Sequence, residues 1–286
     1  MILTYDQQIS LVDRKLATVS TNNNLSTFKY AKKVMYDYLW DDYPELKYCR
    51  GQTYDNQTKE IVTLPPVKSF NYLENGTWED KQLDTVVYLY KKYNGFMAAA
   101  SIYKGELVVS TTGSTKSDYA KLAYERIALM IKAGNNEGCT WLFEVCDLSD
   151  PHIVNDGNQV HYLGCTLHSG AGSQVFQPTG DYLCFSLVEA LDFVKSDKGE
   201  GYMMYDGSNT SDFCKLKTPY YSGKKYLMRM STTKVNAMYI DYKYAVEHLP
   251  DCWKHAPSLI ISEYNQTDWL DMSDQQRRIY LERIEL

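Results

Sequence analysis

No stretch of this chain approaches the 18 or more apolar residues of a membrane span, and its N-terminus has no basic-then-apolar leader. Membrane spanning and secretion are therefore not expected, and a cytoplasmic setting is. Cysteine pairing is missing too. Seven cysteines, an odd number with no CxxC, argue for reduced thiols, and with the five histidines they form no zinc signature. Nor is there an excess of positive charge: a net charge of −6 argues against a nonspecific polyanion binder. Internal repeats and low-complexity tracts are absent as well.

What is present is ordinary globular material. At 286 residues, 44% hydrophobic and 23% charged, the chain can bury a large core as one big domain or a domain plus an appendage. Residues 1–24 read as polar chain ending in an Asn22-Asn23-Asn24 loop. Ser26 offers an N-cap to a helix over 27–40. Short β runs follow at 46–51, 60–64, 65–71, 83–90, 96–103 and 107–110. A helix over 117–133 closes at Gly134. Strands are expected at 140–145, 160–167, 198–205 and 213–217, with a helix over 185–194. Two more helices occupy the tail, over 235–248 and from Ser273 with Gln276 as its capping partner. Strands dominate the middle and helices both ends, so the class is α+β.

Four places could carry chemistry. Lys92 ends an apolar strand beside Asn94-Gly95, which on its own reads first as an ordinary hairpin turn and also suits a rigidly held nucleophilic amine. Glu144 is an acid among apolar residues, and such groups are seldom left unpaired. Glu200 lies in a Gly-flanked strand. Lys215 and Lys217 share one face of a strand by period-two alternation. They open a segment, 213–235, with Lys224, Lys225, Arg229 and Lys234, no acid, and Tyr220, Tyr221 and Tyr226 interleaved. That pattern fits single-stranded nucleic acid or a polyphosphate, or else a solvated basic face.

In order, Lys92-Tyr-Asn-Gly95, Phe143-Glu144, Glu200-Gly201 and Lys215-Leu-Lys217 resemble motifs I, III, IV and V of the covalent nucleotidyltransferases. Tyr48-Cys-Arg-Gly51, Pro66-Val-Lys-Ser-Phe-Asn-Tyr-Leu-Glu-Asn75, Gly113-Ser-Thr-Lys-Ser117 and Phe213-Cys-Lys-Leu-Lys-Thr-Pro-Tyr-Tyr221 narrow the resemblance to the type-one RNA ligases of tailed phages. It spans about 48–234. The implied fold is a nucleotidyltransferase (ATP-grasp-like ligase) core of antiparallel sheets flanked by helices. Residues 1–234 would form the adenylyltransferase domain and 235–286 a short helical C-terminal domain. The implied activity is ATP-dependent sealing of RNA 3′-hydroxyl and 5′-phosphate ends, as in tRNA repair. DNA ligases, capping enzymes and silent nucleotide- or RNA-binding relatives are the alternatives.

The resemblance makes Lys92 the AMP-bearing nucleophile, with Lys215 and Lys217 offsetting phosphate charge. Arg50, Lys68, Phe70, Tyr90, Gly95, Phe143, Glu144 and Glu200 would bind ATP, Glu144 through the ribose hydroxyls. Glu200 would also organise metal-bound water. Tyr221, Lys224 and Lys225 would meet RNA. Cofactors are ATP with Mg²⁺ or Mn²⁺, and partners are single-stranded RNA or broken tRNA ends, with no membrane and no stable protein partner. A phage-encoded chain would act in the host cytoplasm. The sequence departs from the family pattern in three ways. Asn94 replaces the motif I acid, Thr112 stands where a lysine is expected, and the tail after Lys234 is shorter than the family's tRNA-specificity domain. An OB-fold also has no room there.

Overall fold

Asn23, with φ of 48°, is the turn of a hairpin and not the end of a loop. The computed structural model describes residues 2–131, 138–150, 152–168 and 175–285. Among them no helix is long and apolar enough to cross a membrane. The hairpin joins strands β1 (Ala17–Asn22) and β2 (Leu25–Tyr30), and helix α1 (Tyr5–Asp13) precedes it. The helix expected over 27–40 is therefore replaced by β2 and a short helix α2 (Lys32–Tyr36). Ser26 bonds the Thr21 hydroxyl across the hairpin at 3.0 Å, and Thr27 pairs with Thr53 at 2.9 Å. Those hydroxyls serve the sheet, and the cap they would have given a helix is lost.

The remaining elements are β3 (Arg50–Asp55), β4 (Ile61–Thr63), β5 (Val86–Lys91), β6 (Phe96–Tyr103), β7 (Glu106–Thr111), α3 (Asp118–Ile127), β8 (Cys139–Val145), β9 (Val160–Leu167) and β10 (Val175–Pro178). Then come β11 (Tyr182–Ser186), α4 (Leu187–Phe193), β12 (Gly201–Asp206), β13 (Asn209–Lys217), α5 (Pro219–Met228), α6 (Thr232–Ile240), α7 (Tyr242–Glu247), α8 (Ala256–Glu263), α9 (Gln266–Asp271) and α10 (Asp274–Ile284). The run expected as a strand over 65–71 is irregular, and the first half of 46–51 belongs to a 3-10 turn, Pro44–Tyr48, while Arg50 and Gly51 open β3. Gly134, the expected stop of α3, lies outside the described residues.

Contacts divide the chain into two units. The first comprises Met1–Thr77, Gly95–Cys146 and Asn158–Asp181. It contains two antiparallel sheets, ordered β1-β2-β3-β4 and β10-β9-β8-β6-β7. The Ala98–Ala100 run keeps one face of β6 shallow. There α3 packs Ala123 and Ile127 over Ala98, Ala100, Val109, Phe143 and Val145. Burying a side chain of isoleucine or phenylalanine size is worth about 1.5–3 kcal/mol, so this cluster holds the helix.

The second unit comprises Trp78–Asn94, Asp147–Gly157 and Tyr182–Leu286. Its antiparallel sheet is ordered β11-β5-β12-β13. Its core joins Tyr220, Tyr221, Leu227 and Met228 of α5 to Val235, Trp253, Ile260, Trp269 and Leu281 of the following segments. The single helix expected over 235–248 is split at Asp241, which leaves the helical region at φ −144° and caps α7 by accepting from Lys243 N at 3.0 Å. The α10 start is as expected, a capping box between Ser273 and Gln276.

Candidate active site

Strand β5 delivers Lys92 in the second unit. Its backbone N donates to Gly201 O at 2.9 Å, which keeps the lysine aligned with the start of β12 after the ladder ends. Its ammonium lies 3.0 Å from Glu200 Oε1. The same oxygen accepts from Lys217 Nζ. Glu200 Oε2 accepts from Asn94 Nδ2 at 2.9 Å. Asn94 is itself buried. Its Oδ1 accepts from the Ile153 and Val154 amides at 3.0 Å each, and its own N donates to Asp156 at 2.7 Å.

Lys217 comes from the end of β13. There Cys214 and Leu216 turn into the core while Lys215 and Lys217 share the opposite face, as the alternation requires. Gly201 pairs with Lys217 at φ 129°, and a Cβ there would stand 2.9 Å from Lys217 Cα. Only glycine lets the two strand ends approach this closely. Lys217 Nζ also lies 4.6 Å from the Tyr221 ring centre, a cation–π contact.

Burial pushes the Glu200 carboxyl up, but the charges of Lys92 and Lys217 outweigh it and hold the group below its ordinary value. Burial and the charge of Lys92 lower Lys217 to about 8 against the pull of Glu200. Desolvating charges costs several kcal/mol per ion, so such a cluster is a poor way to stabilise a sheet. It is a common way to build a reactive one.

Glu144 sits on β8 in the first unit, 7% exposed, and its Oε1 accepts from Gly95 N at 3.1 Å. Gly95 is fixed by crowding: a Cβ there would lie 2.7 Å from the Val145 carbonyl carbon and 3.1 Å from Cys146 N. Gly95→Ala should therefore destabilise the fold by about 2–3 kcal/mol, the scale of overpacking against backbone, read as a lowered thermal midpoint. Arg50 begins β3. Burial lowers its pKa, and Tyr30 and Glu144 partly restore it. Lys68 is lowered by burial, with Glu74 opposing and Arg50 adding to the effect. Its ammonium stands 4.3 Å from the Phe70 ring centre and 5.3 Å from that of Trp40.

Several residues expected at the ligand are packed among other side chains. Phe143 is 3% exposed and lies on the α3 side of the sheet, the face opposite Glu144, so adjacent strand residues cannot both meet a nucleotide there. Phe70 is buried against Trp40 at 5.3 Å. Tyr90 lies on β5 in a ring cluster with Tyr182 at 5.5 Å and Tyr205 at 5.3 Å. The basic segment expected to face RNA is largely α5. Tyr221 is buried, and Lys224 is 1% exposed with its ammonium 3.1 Å from Glu282, whereas Lys225 is exposed. Lys224→Ala should cost about 2–3 kcal/mol of stability, less than a fully buried pair because Glu282 is 42% exposed. The loss should show as a lowered thermal midpoint.

Sequence reasoning missed Tyr30, which hydrogen-bonds Arg50, and the Ile153 and Val154 amides that hold Asn94. No local pattern marks either. Among the described residues, no group of three or more His, Cys, Asp or Glu side chains gathers to hold a metal. Lys92 and Lys217 share Glu200 Oε1 and Asn94 holds Oε2, which leaves about one of the carboxylate's four acceptor positions for a metal-bound water.

No family profile and no curated protein matches the sequence. Among solved structures, the chain is similar to an archaeal ATP-dependent RNA ligase described as form 2, with TM-score 0.51 and 10% identity over 99% of this chain and 78% of that one. Form 1 gives 0.51 and 11% over 95% and 77%. A chain provisionally described as an ATP-dependent DNA ligase from Aquifex aeolicus gives 0.48 and 12% over 96% and 77%. What the likeness shows is a shared fold, three antiparallel sheets with flanking and C-terminal helices.

Proposed function

We propose that this chain is an ATP-dependent RNA ligase working through a lysyl-AMP intermediate on Lys92. The observation that carries the reading is the cluster of half-buried Lys92 and Lys217 on buried Glu200 at the adjoining ends of β5, β12 and β13. In the first step the neutral Lys92 amine attacks the α-phosphorus of ATP. A P–N bond forms, the bond to the β-phosphate oxygen breaks, and pyrophosphate leaves as the amine gives up its proton. In the second, an RNA 5′-phosphate oxygen attacks the AMP phosphorus and the lysine leaves, regaining a proton. In the third, an RNA 3′-hydroxyl attacks the 5′-phosphorus and AMP departs.

Lys217 and Lys215 would offset charge developing on the phosphates, and Glu144 would accept the ribose hydroxyls. Arg50 and Lys68 would contact phosphates, and Lys225 would meet the RNA strand. Mg²⁺ or Mn²⁺ would enter with the triphosphate as part of the substrate. Support for RNA comes from the segments at 48–51, 66–75 and 213–221 that resemble type-one RNA ligases, and from the archaeal RNA ligase neighbours. A break in tRNA is one end pair that such chemistry would seal.

The test is incubation with α-labelled ATP or GTP and a divalent ion, followed by denaturing electrophoresis, then by 5′-phosphorylated RNA and DNA strands. Acid-labile label from ATP and ligated RNA support the reading. Label from GTP alone would indicate capping chemistry, preferential DNA joining a DNA ligase, and no label from either nucleotide a silent binding protein.

A further inference from the structure

The motif I acid is replaced here by Asn94, and the hydrogen bonds of that residue show what the amide does in this chain. We propose that Asn94 is a positioning residue that locks the Glu200 carboxylate in place for the lysyl-AMP step and does so as a neutral donor. This inference rests on the reading of Lys92 as the adenylylated residue.

Asn94 is 7% exposed and uses both ends of its amide. Nδ2 donates to Glu200 Oε2 at 2.9 Å, while Oδ1 accepts from the Ile153 and Val154 amides at 3.0 Å. An aspartate could keep the two backbone bonds, yet it would set a second carboxylate against Glu200 with no proton between them. Glu200 would then turn away, and Lys92 and Lys217, which both rest on its Oε1, would lose their shared anchor.

The strap that grips Asn94 is tied to the C-terminal helices. Ile153 is 1% exposed in the core formed with Trp253, Ile260, Trp269 and Leu281, and Arg278 of α10 donates to His152 O at 3.3 Å. The same strap returns at Asp156 to accept from Asn94 N. Residues 235–286, to which the sequence assigned no role, thus anchor the backbone that orients Asn94. The line runs from α10 through residues 152–154 to Asn94 and on to Glu200.

The experiment compares single-turnover lysyl-AMP formation, ATP affinity and thermal midpoint in Asn94→Asp, Asn94→Ala, Glu200→Gln and the double variants. Asn94→Asp should form lysyl-AMP at least 100-fold more slowly, with ATP affinity changed less than threefold. Asn94→Ala should add less than threefold to the loss in Glu200→Gln, because the two act as one unit. The reciprocal pair Asn94→Asp with Glu200→Gln restores a donor facing an acceptor, and should recover at least tenfold over Asn94→Asp alone. Wild-type rates in Asn94→Asp, or multiplicative losses in the Asn94→Ala, Glu200→Gln double variant, would overturn the proposal. Absence of label in the unaltered protein would instead overturn the assignment of Lys92, so the two failures are distinguishable.

Discussion

Lys92→Ala will take no label from α-labelled ATP, with adenylylation falling below detection, while Lys91→Ala will label within about threefold of the unaltered protein. The two lysines are neighbours in sequence and opposites in setting. Lys91, the last residue of β5, is 54% exposed at the side chain and stands 3.7 Å from Asp156. Asp156 is 10% exposed and keeps its bond from Asn94 N, so a pair at that separation with a solvated lysine contributes about 1 kcal/mol or less and its loss should leave the sheet intact. Lys92 is 19% exposed, 3.0 Å from Glu200, and held at its backbone by Gly201. A nucleophile cannot be replaced by its surroundings, so no residual covalent step is expected. Label persisting in Lys92→Ala, with the labelled peptide mapped elsewhere, would remove this lysine from the mechanism. Loss of label in Lys91→Ala without any drop in thermal midpoint would overturn the contrast drawn between the two lysines and give Lys91 a part in the step.

Much of the candidate site was legible because it follows from strand alternation and glycine punctuation. Lys215 and Lys217 share a face since Cys214 and Leu216 must turn inward, and Gly95 and Gly201 mark places where backbone crowds backbone. The β6–β7 hairpin, β9 and the capping box of α10 also lie where their patterns place them. The errors arose where a local signal had two uses. Ser26 could cap a helix or bridge a hairpin, and the long-range partner β3 decided for the hairpin. The cations and tyrosines after Lys217 looked like a nucleic-acid surface, yet helical periodicity sends Tyr220, Tyr221 and Lys224 inward and leaves Lys225 outside. Phe143 was read together with Glu144, although adjacent strand residues face opposite ways. The partners of Asn94 lie about sixty residues downstream on irregular backbone, where no periodicity could point to them.

Lys217→Ala should slow lysyl-AMP formation by two to three orders of magnitude, the scale of losing one preorganised electrostatic contact to developing charge. It should also abolish a proton uptake that accompanies ATP binding. Burial and the charge of Lys92 lower the Lys217 ammonium to about 8 in the free protein, well below the ordinary lysine value of 10.5. The unfolded chain therefore holds this proton more tightly than the fold does. From that group alone, stability rises as pH climbs from about 8 towards 10.5, the opposite of a lysine strengthened by its partner. A bound triphosphate reverses the balance by adding negative charge beside the ammonium, which favours the protonated form. ATP binding near pH 8 should then draw up to about half a proton from buffer, falling towards zero by about pH 6, where Lys217 is already charged. Calorimetry in buffers of different ionisation enthalpy measures that uptake directly. Lys215→Ala, which leaves Lys217 in place, should retain it while losing rate. Uptake of equal size in Lys217→Ala would place the titrating group elsewhere and reduce Lys217 to a structural partner of Glu200.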